Sequence, residues 1–386
     1  MASLVSIMSI SYLAFGQTPA NLPVVSPTNN TAVGDGALTN VINGNGNTAV
    51  GSLALFANTD GSSNTALGHN SLTSNTTGFG NNATGQDSLV FNTTGAENSA
   101  FGRAALYKNT TGGSNSAFGN FGLFLNSTGF ENSAFGFGSS YKNTTGRLNT
   151  TFGAYSGFSN VAGIGNTAIG YQALIDKKTG NYNVALGYNS GSLLSNGNNN
   201  LYVANTGSLS ESNTIRIGQT HTKTFLAGVR GITTDAADTV TVVIDSNGQL
   251  GTLNSSERFK KDIQDMDGAS RRLLELRPVT YHYKQASEDG KNPLEYGLIA
   301  EEVAQVYPDL VVHGRDGKIE TVQYQKLTPM LLNELQRLAS LQAAQANELG
   351  RLKLKLVSFE NKNSELKNIQ ARLSRMEASK AISLAN

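Results

Sequence analysis

The chain has 386 residues, more than one ordinary domain, and sets 29 Lys and Arg against 28 Asp and Glu. That balance argues against a nucleic-acid partner and against a polybasic membrane-binding surface. Forty-two glycines with no cysteine and no tryptophan describe a turn-rich chain that uses neither disulfides nor thiol chemistry, so the compartment has to be read from the N-terminus.

Residues 4–15 form an apolar run, with Ala14 and Gly16 at the minus-three and minus-one positions before Gln17. This is the pattern of a cleaved secretory signal, lacking its usual basic segment, and we assign residues 1–16 to it; a buried helix is the competing reading. Residues 17–29 read as a linker. No other stretch reaches the roughly 18 to 20 apolar residues of a bilayer crossing, so no integral membrane span is expected in the mature chain.

Residues 30–204 repeat. Units aligned on "NTAVG" begin at Asn30, Asn47, Asn64, Asn81, Asn98, Asn115, Asn132, Asn149, Asn166 and Asn183, each 17 residues after the last, and Asn200 opens a degenerate eleventh copy. Within a unit the third to fifth positions read small, apolar, Gly, as in Ala49, Val50 and Gly51, and a second apolar site recurs at the ninth, as in Leu38, Leu55, Leu72 and Leu89. "NTTG" or a variant closes many units, for example at 75–78 and 92–95. Asn and Gly tolerate positive φ and Thr favours extended backbone, so each unit predicts short strand, turn, short strand, turn.

So short a unit buries little alone. Stacking aligns its apolar positions into a ladder, which predicts a parallel β-solenoid, mainly β, of the order of 50 Å long at about 4.8 Å per strand. Because the circuit encloses a thin core, three such chains are expected to pack about an axis, and the aromatics Phe101, Phe118, Phe135 and Phe152 would then fill the interior. The pattern resembles the heads of trimeric bacterial adhesins, β-rolls with "NSVAIG"-like repeats. The recurrent Asn-x-Thr triplets match glycosylation acceptors, but turn chemistry multiplied by the period accounts for them. With six acidic residues, six basic residues and His69 in units 30–199, the repeats offer no paired carboxylates for glycoside hydrolysis. A host-cell or glycan receptor for the rod would have to be met by Asn, Thr and Tyr.

Residues 205–254 read as a β-rich connector: Ile215 and Ile217, then Phe225 and Val229, alternate with polar residues, and "VVIDSNGQL" is an apolar run closed by a turn. "SSERFKKDI" at 255–263 follows. Here the chain resembles the C-terminal intramolecular chaperone of endosialidases and phage tailspikes, an autocatalytic peptidase domain found also in the myelin regulatory factor. The residues that carry the likeness are Ser255, Arg258, Lys260 and Ile263, followed in order by "LRPVTYHYK" at 276–284, "YGLIAEEVAQVYPDLV" at 296–311 and "YQKLTPMLLNELQRL" at 324–338. Ser256 stands where the family often has Asp, and it adds a second pair, Ser256 with Lys261.

The resemblance implies that Ser255 is a nucleophile activated by Lys260 and that it cuts its own chain between Asn254 and Ser255, once per molecule. A lysine can act as base only where its amine is neutral, which calls for a preassembled, partly dry pocket. An offset of five residues is unfavourable on one continuous helix, so Ser255 should sit just before a helix carrying Lys260. The alternative is that Ser255 caps a helix whose Arg258, Lys260 and Lys261 form a solvated face. Through the rest of 255–329 the pattern predicts a helix ending before Pro278, a strand, and a strand running into a helix stopped at Pro308. Glu301, Glu302, His282 and His313 are read as structural rather than acid or base groups.

From Leu331 the apolar positions recur in a 3.5 pattern through Leu335, Leu338, Leu349, Leu352, Leu356, Phe359, Leu366 and Leu373, with polar seam residues Gln342, Gln345, Asn363 and Gln370. Residues 330–376 therefore predict a parallel coiled coil, with trimer as the oligomer, against a single amphipathic helix packed on its own domain. No metal or cofactor is implied. Two readings follow for the whole: an exported, adhesin-like homotrimeric fibre at the cell surface or secreted, or a phage-like tail fibre in a virion, each matured by the same self-cleaving chaperone.

Overall fold

The computed structural model describes residues 29–285, 290–314 and 316–384; the signal assigned to 1–16 and nearly all of the 17–29 linker lie outside them. The chain divides into two compact units, residues 1–227 and 228–386.

The first unit is a parallel β-solenoid. Three-residue strands recur every 17 residues from β1 (Thr31–Val33) to β11 (Leu201–Val203), and β12 (Ile215–Ile217) joins the same 12-stranded sheet after a shorter circuit. Each strand pairs in register with the next, so Ala32 lies beside Ala49 and Ala49 beside Ala66. β12 carries the sheet into the stretch read as connector. Phe225 and Val229 fall in no strand and are exposed, so the alternation read through them does not persist.

One correction concerns the coil itself, which has one strand per turn rather than two. The ninth-position leucines, read as a second apolar site, sit in left-handed turns, with φ of 51° at Leu55 and 54° at Leu72. Their neighbours explain why: Leu55 and Leu72 are fully buried, and their backbone amides donate to Ser71 and Ser88 of the next coil. Hydrogen bonding between coils and side-chain burial therefore hold a backbone conformation that leucine avoids in isolation.

The aromatics lie on the outer face of the single coil. Alternation along each strand points the third-position alanine into the coil and the fourth-position residue out, and only a small side chain fits inside. Ala100, Ala117 and Ala134 are fully buried, whereas Phe101, Phe118 and Phe135 stack on the outside with ring centroids 4.7 and 4.8 Å apart. Phe152 ends that stack at 58% exposure. The coil interior is filled by Ala, Leu and, unexpectedly, Asn.

Two asparagine ladders run up the inside. At the first position, Asn98 Nδ2 donates to Asn81 Oδ1 (3.0 Å) and to Gly112 O (2.9 Å), and the same pattern repeats through Asn115, Asn132 and Asn149. At the twelfth, Asn109 Nδ2 donates to Asn92 Oδ1 (2.7 Å) and Gly112 O (2.9 Å), again repeating from Asn75 to Asn143. Buried amides survive only with partners, and a strict period supplies one above and one below. Asn75, Asn92, Asn109 and Asn143 of the Asn-x-Thr triplets belong to this second ladder and are buried.

Two local changes break the regularity. Around coils seven and eight the apolar core is interrupted by buried hydroxyls, Ser139, Ser140, Thr151 and Ser156, bonded to one another at 2.7 to 3.0 Å. At β11, Tyr202 takes the alanine position, fully buried, with its hydroxyl donating to Glu211 Oε1 (2.9 Å), and Glu211 is held bidentately by Arg216.

The second unit begins with a hairpin, β13 (Val242–Ile244) and β14 (Leu250–Thr252), whose turn is held by Asp245 accepting from the Asn247 and Gln249 amides. After Ser255 come a 3-10 helix at Arg271–Glu275, the antiparallel pair β15 (Val279–Tyr281) and β16 (Glu295–Gly297), helix α1 (Ala300–Val306), and the pair β17 (Val311–His313) and β18 (Ile319–Val322). Pro308 opens a short 3-10 turn directly after α1, as its missing amide requires. The core is Val303, Leu310, Val311 and Val322, flanked by Leu276, Leu298, Tyr307 and Leu327. Helix α2 (Tyr324–Leu384) then runs 61 residues. Among the described residues no helix is long and apolar enough to cross a membrane.

Candidate active site

The sequence places a hydroxyl and an amine five residues apart at the start of a short helical segment, and the backbone closes that distance in a particular way. β14 ends at Thr252, and a single 3-10 turn, Glu257–Phe259, starts after Ser256. Its closing bonds are Phe259 N to Ser256 O (3.0 Å) and Lys260 N to Glu257 O (2.9 Å). The turn is compact, and the Lys260 side chain reaches back across it toward Ser255. Lys260 Nζ donates to Ser255 Oγ at 3.2 Å.

The residue at the N-cap is Ser256, and its side chain makes no capping hydrogen bond. Ser255 lies one residue earlier and faces Lys260 instead. In place of the helix expected to carry Lys260 there is one 3-10 turn, with Lys260 at its C-cap. Arg258 turns back over the Phe259 ring, its guanidinium carbon 4.6 Å from the centroid. Ile263 and Phe259 are both exposed apolar residues.

Two features decide what the pair can do as it stands. The amine donates to the hydroxyl, which is the resting polarity; base catalysis needs the reverse, with the hydroxyl proton passing to a neutral amine. And residues 254–265 are all exposed in the single chain. Ser255 and Lys260 are thus within hydrogen-bonding distance of each other and open to solvent in the single chain.

Two of the other titratable residues considered, Glu302 and His282, have structural partners. Arg277 forms a bidentate ion pair with Glu302, which holds the Glu302 carboxyl below its usual range. His282 Nδ1 lies 2.9 Å from Asn292 O and 3.1 Å from Pro293 O, bracing the β15–β16 pair. One polar cluster escaped the sequence reading. Ser270, fully buried, donates to Glu334 Oε1 (2.7 Å) and accepts from Asn333 Nδ2 (2.6 Å), while Arg337 donates to Glu334 Oε2 (2.7 Å). It ties the segment after the dyad to α2. Only the i to i+3 spacing of Glu334 and Arg337 hints at it in sequence, and their partner lies 64 residues away.

Along α2 the seam residues face solvent, Leu335 at 65% exposure, together with Leu331, Leu338, Leu349, Leu352 and Leu356. Where α2 starts, Leu274, Leu276, Tyr296, Leu331, Leu335 and Leu338 line an open apolar groove of about 860 Å³. A family model described as the chaperone of endosialidase matches residues 255–312. The match begins at Ser255 and takes in Lys260, β15, β16 and α1. No curated protein and no solved structure matches the chain.

Proposed function

We propose that this protein is a homotrimeric fibre in which residues 255–386 act as an assembly chaperone that then cuts itself away. The observation that carries the reading is the uncovered apolar seam of α2, continuous with the apolar groove beneath its first turns. Exposed leucines in a 3.5 repeat over about twelve turns are the signature of a helix whose partners are other helices, and two further copies of the same chain meet that need. Similarity of 255–312 to the endosialidase chaperone supports the same assignment.

Assembly and chemistry are then linked. Packing of three chains around the seam would enclose the segment carrying Phe259 and Ile263 and dry the Ser255–Lys260 pair. With its amine neutral, Lys260 takes the Ser255 hydroxyl proton, and Oγ attacks the Asn254 carbonyl carbon. The Asn254–Ser255 C–N bond breaks, the nitrogen receives the proton from Lys260, and the resulting ester between Asn254 and Ser255 is hydrolysed by water. The products are a rod ending at Asn254 and a released 255–386 trimer. The rod, with the signal-like residues 1–16 ahead of it, acts outside the cell as a surface or secreted fibre.

The test is intact mass of the full-length protein beside Ser255→Ala and Lys260→Ala, with native mass of the oligomers. A wild-type fragment starting at Ser255, lost in both variants while the trimer persists, is the expected result. A wild-type chain that stays whole in a trimer removes the peptidase step, and a monomer removes the assembly reading. A rod beginning at Gln17 agrees with export; one retaining its first sixteen residues favours a virion fibre assembled in the cytoplasm.

A further inference from the structure

Lysine does not belong inside a β-solenoid, yet Lys177 occupies the twelfth-position ladder where the seven coils before it have Asn58, Asn75, Asn92, Asn109, Asn126, Asn143 and Asn160. It is 1% exposed. Its Nζ donates to Asn160 Oδ1 at 3.0 Å. The next-door Asp176 is exposed to solvent, and the amine's surroundings are Leu174, Ala168, Thr151 and the side chains of Asn149, Asn160 and Asn166. Burial without a carboxylate partner lowers the Lys177 amine to about 7, so near neutral pH much of it is an uncharged nucleophile.

The group it faces is a carboxamide set up for attack. Asn160 Oδ1 accepts from the Gly163 amide (3.1 Å) as well as from Lys177, and Asn160 Nδ2 donates to Asn143 Oδ1 (3.0 Å). A backbone N–H on a carbonyl oxygen stabilises the negative charge that develops there during addition. Room for the amine depends on Gly163, where a Cβ would stand 2.5 Å from Lys177 Nζ. A cavity of about 10 Å³ lies beside the pair, lined by Ser140, Thr151, Gly157 and Lys177, space for one molecule the size of water or ammonia.

We propose that Lys177 and Asn160 condense into an intramolecular isopeptide bond that locks coil eight to coil nine. The neutral Lys177 Nζ adds to Asn160 Cγ, and the oxygen takes up negative charge against the Gly163 amide. A proton passes from the attacking nitrogen to Nδ2, the Cγ–Nδ2 bond breaks, and ammonia leaves. A new secondary amide is formed and one primary amide is lost, with no oxidant or cofactor involved. Holding the two groups in contact in a dry site substitutes for a catalytic acid by proximity, and the reaction happens once per chain, slowly, after the coil has formed.

Peptide mapping of the full-length protein after folding and incubation at neutral to mildly alkaline pH tests this. Trypsin should fail to cut after Lys177 and should release residues 148–178 as one peptide lighter by the mass of ammonia, with no backbone fragment ions between 160 and 177. Asn160→Ala should restore the cut after Lys177. Recovery of wild-type 148–177 at unaltered mass after prolonged incubation overturns the proposal. So does an ammonia-sized loss that persists in Lys177→Met, because it would mark a succinimide. The wild-type map decides by itself if either variant misfolds.

Discussion

Asn58 and Asn109 are the same residue type at the same position of the 17-residue coil, and both are fully buried, yet replacing them by alanine should cost different amounts. Asn109 stands mid-ladder: its Nδ2 supplies Asn92 Oδ1 (2.7 Å) and Gly112 O (2.9 Å), and its Oδ1 accepts from Asn126 Nδ2 (2.8 Å). Gly112 O keeps Asn98 Nδ2, and Asn126 Nδ2 keeps Gly129 O. Asn92 Oδ1 is therefore stranded, at about 1–3 kcal/mol for a buried unsatisfied acceptor, and the weakened Asn126 donor adds about 1 kcal/mol. The sum is roughly 2–4 kcal/mol. Asn58 begins its ladder and donates only to Gly61 O, which Asn47 Nδ2 also serves, while Asn75 keeps Gly78 O. Its removal strands no acceptor and should cost about 1 kcal/mol.

Hydrogen exchange read by mass spectrometry on the assembled protein measures the difference, because coils touch only their neighbours and open locally. Peptides spanning 92–126 in Asn109→Ala should exchange about 30- to 1000-fold faster than in wild type, against about fivefold around 58 in Asn58→Ala. Peptides near 190 should not change in either variant. Equal acceleration in the two variants would refute the ladder account and reduce the asparagines to turn formers.

Four further outcomes follow from the same structure. Gly102→Ala places a Cβ 2.7 Å from Gly119 C at a φ of 131°, so it should cost about 3 kcal/mol or more in chemical denaturation. Gly122→Ala meets Ala117 Cβ and Gly119 O, both at an ordinary 3.5 Å, and should be neutral or stabilise by about 0.4–1 kcal/mol. Leu352→Glu, on the exposed α2 seam, should abolish the proposed trimer by native mass; a trimer that persists in this variant contradicts assembly through the seam. The yield of Lys177–Asn160 condensation should climb as pH rises through about 7 and then level off, since only the unprotonated amine attacks; a pH-independent yield in timed peptide maps contradicts that origin.

The repeat was the legible part of the fold. A period kept without insertion from Asn30 to Asn200 allows one architecture, and the strand register follows from it directly. Less legible was the role of each position, because the same Asn serves a turn and a buried ladder, and only the stacked neighbour 17 residues away decides which. The leucines misled for a similar reason: their left-handed backbone is imposed by bonds to the adjacent coil, which local propensity does not register. At the candidate site, the serine-to-lysine spacing was readable from the motif, and the 3-10 turn that joins them is too short for periodicity to reveal. The Ser270–Glu334 cluster was hidden by distance along the chain.

Tyr202 marks the end of the standard repeat, one strand before the sheet itself ends. A phenol filling the slot that alanine holds in earlier coils, pinned by Glu211 and Arg216, presents the next circuit with a shape no standard unit matches. Coils within the run from Asn47 to Asn132, by contrast, offer nearly interchangeable upper and lower surfaces. Unequal recombination could lengthen or trim the fibre there in steps of about one strand spacing, 4.8 Å, without disturbing either terminus. Reach would then be a freely adjustable trait, set by gene copying rather than by redesign.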